Sequence, residues 1–162
     1  MNVLIYHPTI PGNLGNVVRT AQGYEVHDFH IYDPNWSESN KPEFMERAIT
    51  VSAGAWIKVQ PKFIANESEL ERFMENYNGK KIATVCNGKN ATWLYHLRCE
   101  PNDLIMLGNE KEGLPKEIIE AADLRITIPI NSHSLNIGAA FSAIGYEYRR
   151  QAYVEHMSKK KK

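Results

Sequence analysis

Short apolar runs punctuate the chain at Val3 to Tyr6, Phe29 to Tyr32, Trp56 to Val59, Lys81 to Val85, Leu104 to Leu107 and Leu124 to Ile128. Each has strand length, and helix-like segments separate them, a βαβα rhythm that predicts an α/β fold with a mostly parallel sheet and helices on both faces. The plainest helix runs from about Glu67 to Tyr77, with Leu70, Phe73, Met74 and Tyr77 as its apolar stripe. Asn66 or Ser68 serves as its N-cap, Ser68 and Glu71 have capping-box spacing, and Asn78-Gly79 stops it. The last helix is expected over about Ser134 to Gln151, with Ile137, Ala140, Phe141, Ile144 and Tyr148 at core spacing. Gly138, Ser142 and Gly145 form a small-residue strip beside that stripe, suited to close approach by another element of the same chain or by a second subunit. Asp33 to Pro42 reads as a surface loop, and no linker or internal repeat divides the chain.

A length of 162 residues fits one domain, here 1–151, followed by a basic C-terminal tail, 152–162. Any binding must be done by that one domain. Lys plus Arg and Asp plus Glu number 19 each, so no global basic excess announces a polyanionic partner. The charge is uneven, however: Glu67, Glu69, Glu71 and Glu75 cluster, while Arg149, Arg150 and Lys159 to Lys162 crowd the C-terminal end. The terminal lysines read as a solvated, disordered tail, with phosphate attraction as the alternative. Cys86 and Cys99 are too sparse for a redox or zinc motif, and with no apolar leader the expectation is a reduced, cytoplasmic protein with no membrane association. His27 and His30, three apart in an expected strand, point to opposite faces, and no metal site is expected.

Three loops carry the candidate chemistry. In Pro8 to Arg19, Asn13 is placed to cap a helix beginning around Leu14, Gly12 and Gly15 permit tight turning, and Arg19 falls on the helix soon after its start. In Gly108-Asn109-Glu110-Lys111-Glu112-Gly113-Leu114-Pro115, Gly113 suits positive φ, Gly108 lets a ligand lie against bare backbone, and Pro115 opens a helix to Ala122. Glu110 either faces water or accepts hydrogen bonds from a ligand or from Arg19. In Ile128 to Asn136, Pro129 ends a strand and Ser134-Leu135-Asn136 starts the last helix. Ser134 is either a plain N-cap or, with Leu135 and Ile128, part of a slot for a flat adenine ring. No G-x-G-x-x-G or Walker pattern is present, which argues against an ordinary dinucleotide or triphosphate site.

Taken in order, these three blocks resemble the three motifs of the SpoU-type RNA 2′-O-methyltransferases of the SPOUT superfamily. The match spans Val3 to about Gln151 and in size is most similar to the small tRNA wobble-position (cytidine/uridine) enzymes. The resemblance implies a SPOUT fold with a C-terminal trefoil knot, a homodimer and S-adenosylmethionine as cofactor, converted to S-adenosylhomocysteine. By the same resemblance Thr84, Gly108, Ile128, Ser134 and Leu135 line the cofactor pocket. Arg19 is then the catalytic residue, with Asn13, Glu110 and Asn136 shaping its site.

The implied reaction is in-line attack of an RNA ribose 2′-hydroxyl on the methyl group, which asks the protein to position two reactants and ease loss of a proton; it needs no metal. A guanidinium does not lose its proton in proteins, so Arg19 is read as stabilising developing alkoxide charge and holding ribose or phosphate. Arg149 and Arg150 are expected to bind RNA. Two departures from the family pattern bear on substrate choice: the short loop Asn131-Ser132-His133, and a Gly23 to His27 segment without a Thr-Gly pair. The expected substrate is tRNA, with ribosomal RNA as the alternative and a non-catalytic RNA-binding protein of the same fold as the rival outside enzymes.

Overall fold

The computed structural model describes residues 1–26, 28–35, 42–86, 90–131 and 133–160. The strands are β1 (Asn2–Tyr6), β2 (Phe29–Tyr32), β3 (Lys62–Ile64), β4 (Lys81–Thr84), β5 (Thr92–Trp93), β6 (Leu104–Leu107) and β7 (Leu124–Thr127). The helices are α1 (Pro11–Gly23), α2 (Pro42–Val51), α3 (Ala55–Val59), α4 (Glu67–Glu75), α5 (Lys116–Glu120) and α6 (Ile137–Lys159), with a 3-10 turn at Leu94–His96. They build a seven-stranded sheet in the order β3-β2-β1-β6-β4-β7-β5. Every pairing is parallel, as the βαβα rhythm predicts.

Alternation along the strands divides the core into two layers. Val3, Ile5, Ile82, Ile105, Leu107 and Ile126 join Leu14, Val17 and Val18 of α1 and Phe141 and Ile144 of α6 on one face. Leu4, Ala83, Leu104 and Met106 join Leu70 and Met74 of α4 on the other. Strand β6 is buried on both faces at every position, which is why Leu104-Ile105-Met106-Leu107 is a continuous apolar run.

Several elements depart from the sequence reading. Trp56 to Val59 is part of helix α3, and the adjoining strand is Lys62–Ile64 instead. Trp56 and Val59, three apart, pack against the core while Ile57 between them is 77% exposed, so the working period is helical. Pro61 then forbids helix at Gln60, which ends α3 in the left-handed region. Helix α4 is capped by Asn66, whose side chain accepts from the Glu69 amide at 2.9 Å while the Glu69 carboxylate accepts from the Ala65 amide at 2.9 Å. The box is therefore Asn66 with Glu69, not Ser68 with Glu71.

Helix α6 starts at Ile137 under an Asn136 N-cap, later than Ser134, and continues past Gln151 to Lys159. A Lys159 to Glu155 ion pair at 2.6 Å and basic residues in the last turn suit that extension. The small-residue strip of α6 packs within the chain: a Cβ at Gly145 would overlap the Tyr24 ring, and the Tyr24 hydroxyl donates to the Ser142 carbonyl at 3.1 Å. His27 and residues 36–41 of the expected surface loop lie outside the described residues, whereas Asp33 at the start of that loop is buried. No described helix is long and apolar enough to cross a membrane.

Candidate active site

At the C-terminal ends of the strands, the loops after β4, β6 and β7 enclose a cleft of about 740 Å³ with the first turn of α1 and the start of α6. That is where ligands bind in parallel α/β sheets, and the volume suits a cofactor-sized molecule. Thr84, Gly108, Ile128, Ser134 and Leu135 all line it. The Thr84 hydroxyl donates to the Met106 carbonyl at 2.9 Å, tying β4 to β6 beneath the cleft. At Gly108 a Cβ would overlap the backbone of Gly113 and Leu114, so the missing side chain also lets the loop close on itself. Gly113 takes positive φ as expected, and Asn109 and Gly113 exchange backbone hydrogen bonds at 3.0 and 2.9 Å across the loop. Pro115 precedes α5 as its N-cap rather than forming its first turn.

A chain of side chains joins the three sequence blocks. Asn136 Nδ2 donates to Asn13 Oδ1 at 2.9 Å, and Asn13 Nδ2 donates to Glu110 Oε1 at 3.2 Å. The Glu110 carboxylate also accepts from the Thr9 amide at 3.0 Å, the Thr9 hydroxyl at 2.9 Å and the Ile10 amide at 3.2 Å. Helix α1 begins at Pro11, so Asn13 lies inside its first turn, and the N-cap Ile10 has no side chain to accept from the helix. Glu110, in another loop, accepts instead from the Thr9 and Ile10 amides just ahead of the helix, which sets a carboxylate at the positive end of α1. Burial opposes the charge on Glu110, but hydrogen bonds from the Thr9 amide, its own amide, Asn13 and the Thr9 hydroxyl prevail and lower its pKa.

Residues 1–146 match the SpoU rRNA Methylase family. The chain belongs to that family. Among its relatives, the tRNA (cytidine(34)-2'-O)-methyltransferase of Aeromonas hydrophila is 28% identical over 157 residues, 93% of this chain and 94% of that one. A structure solved for the 2-OH methylation of C/U34 on tRNA is 25% identical with a TM-score of 0.79, covering 94% of this chain and 95% of that one. The SpoU methyltransferase AviRb of Streptomyces viridochromogenes, in complex with AdoMet, superposes with a TM-score of 0.79 at 23% identity. This SpoU methylase covers 94% of its own length in that match but spans only 58% of AviRb.

S-adenosylmethionine, the cofactor of the family, fits what lines the cleft. Leu107, Ile126, Ile128 and Leu135 offer apolar faces for an adenine ring, and residues 108–113 and 133–136 run along the same wall. The arginines stand apart from this SpoU cleft. Arg19 is exposed on α1 and makes no hydrogen bond or ion pair with another described residue. Arg149 pairs with Glu25, and Arg150 grips Glu147 through two hydrogen bonds at 2.8 and 2.6 Å. Both lie beside a second hollow that contains Met1 and Glu100 at the opposite end of the sheet, about 18 Å along α6 from its start.

Two residues were passed over in the sequence reading. Asn109 is buried and is the hinge pin of its loop: its amide donates to the His7 carbonyl at 2.8 Å and its oxygen accepts from the Lys111 and Glu112 amides. An asparagine directly after a strand-ending glycine is a turn signal for that role. Cys86 is an exposed free thiol in the wall of the cleft, and nothing in its sequence context marks it. Among the described residues no group of His, Cys, Asp or Glu gathers as a metal site.

Proposed function

We propose that this SpoU methylase transfers a methyl group from S-adenosylmethionine to the ribose 2′-hydroxyl of a tRNA nucleotide at the wobble position, acting as a homodimer. The observation that carries this reading is the Asn136–Asn13–Glu110 chain, which joins the three sequence blocks at the mouth of a cofactor-sized cleft. The relatives of matching length, tRNA (cytidine(34)-2'-O)-methyltransferases, support the choice of substrate. A C-terminal trefoil knot in the loops around the cleft belongs to the same reading. Residues 1–151 are its catalytic unit, and 152–162, with Arg149 and Arg150, form a basic extension toward the RNA.

S-adenosylmethionine supplies an electrophilic methyl group and leaves as S-adenosylhomocysteine. In this reading Thr84, Gly108, Ile128, Ser134 and Leu135 hold it and exclude water from one side. Asn13, Glu110 and Asn136 fix the first turn of α1 against the cofactor loops, so the helix presents Arg19 at a set height. Arg19, without a hydrogen-bond or ion-pair partner among the described residues, has five donors available for the ribose and its phosphate and stabilises charge developing on the 2′-oxygen.

The test is transfer of labelled methyl to separated small and large RNA from cells lacking this protein, with Arg19→Ala alongside and the modified nucleotide mapped. Label on the wobble ribose of tRNA, lost with Arg19→Ala, is the expected result. Label in large RNA would move the substrate to the ribosome. Cofactor binding without label in either pool would exclude both RNA substrates tested.

A further inference from the structure

The edge strand β5 and the 3-10 turn that follows it carry aromatic side chains, Trp93 and Tyr95, that pack into neither core layer. Trp93 is 53% exposed and Tyr95 66% exposed. The Trp93 ring is held nearly parallel to His96, 7° between planes and centroids 6.1 Å apart, at the rim of the sheet. Its position relative to the cleft follows from the strand register. Trp93 pairs with Thr127 of β7, and Thr127 lines the cleft. Paired residues of neighbouring strands point to the same face about 4.8 Å apart, so Trp93 is one strand away from the cleft wall. Arg125, two residues before Thr127 and therefore on that face as well, is half-buried and makes no ion pair with another described residue.

An exposed aromatic plane and an unpaired guanidinium on one face, continuous with the cleft, match the parts of a nucleotide: base and phosphate. We propose that Trp93 and Arg125 form a subsite for the nucleotide of single-stranded RNA next to the methylated one, the base stacking on Trp93 and the phosphate meeting Arg125. This rests on the RNA-substrate reading above. Stacking suits the task because every base has a π-face, while recognition of unpaired loop nucleotides proceeds by splaying them onto aromatic planes. A protein segment or a second copy docking here would need only apolar area, which an aliphatic side chain also supplies.

The experiment is equilibrium binding of an RNA hairpin carrying a tRNA anticodon loop to the full chain and its variants. Trp93→Ala and Trp93→Leu are expected to weaken binding roughly 5- to 150-fold, and Trp93→Phe to retain affinity within about threefold. Arg125→Gln is expected to flatten the dependence of log K on log salt by about 0.7. The hairpin should quench tryptophan fluorescence in the natural protein and less so in Trp93→Phe. Unchanged S-adenosylmethionine affinity identifies the folded variants. Hairpin affinity in Trp93→Leu equal to the natural protein's overturns the stacking subsite, as does a loss of self-association in Trp93→Ala, which would give the face to a second copy. If the natural protein methylates RNA and Trp93→Ala does so with the same KM for RNA, only the subsite fails. If the natural protein neither binds the hairpin nor methylates any RNA, the RNA reading fails and takes the subsite with it.

Discussion

Replacing Glu110 by alanine removes the acceptor of four hydrogen bonds, from the Thr9 amide and hydroxyl, the Ile10 amide and Asn13. Hydrogen bonds to a charged group contribute about 1.5 to 3 kcal/mol when dry, but water reaches this cleft mouth, so each is discounted to ~0.5 kcal/mol and the set to ~2 kcal/mol. Loss of a negative charge at the start of α1 adds ~0.3 to 1 kcal/mol. A total of about 2 to 3 kcal/mol lowers the melting temperature of a chain this size by roughly 4 to 10 °C. The sign of the pH dependence follows from the lowered pKa. The stabilisation from Glu110 is complete above the unfolded carboxylate value of about 4.3 and is lost as pH falls through the lower folded value, so natural and mutant proteins converge in acid. Thermal unfolding between pH 3 and 7, with methyl transfer and cofactor affinity measured at pH 7, checks both parts. Turnover should fall more than cofactor affinity, because the chain positions α1 rather than the cofactor loops alone. A melting temperature within about 1 °C of the natural protein at pH 7, or a stability gap that persists unchanged at pH 3, refutes the coupling.

Arg19→Lys keeps the charge and loses the planar fork; turnover should fall at least about tenfold with cofactor affinity intact, and a near-natural rate would reject a geometric role for the guanidinium. Gly145→Ala drives a methyl into the Tyr24 ring and should destabilise the fold by about 1 to 3 kcal/mol in urea unfolding, while an unchanged midpoint would deny the α1–α6 contact. Alkylation should show one fast thiol, Cys86, shielded by S-adenosylmethionine, because burial pushes the half-buried Cys99 up to about 12; equal reaction at both, read by mass spectrometry, would contradict this.

The middle of the sheet was legible because its central strands are buried: a run such as Leu104 to Leu107 admits few other readings, and all four of its side chains are buried. The short elements were not. Trp56 to Val59 satisfies a strand or a helix equally well until Gly54 and Pro61 fix its ends, and a two-residue strand such as Thr92–Trp93 has no period to detect. The site was legible as three blocks and not as one object. That Glu110 accepts from Thr9 and Ile10, about a hundred residues earlier, depends on β6 lying beside β1, a neighbour relation set by sheet order and invisible to local pattern. Spacing also misjudged which residue does what. Asn13, expected as a helix cap, is the relay between Asn136 and Glu110, and Glu110 holds the Thr9 and Ile10 amides ahead of the helix. The same register that makes this possible puts Trp93 beside Thr127, so both the established cleft and the proposed nucleotide subsite follow from which strands the parallel sheet sets side by side.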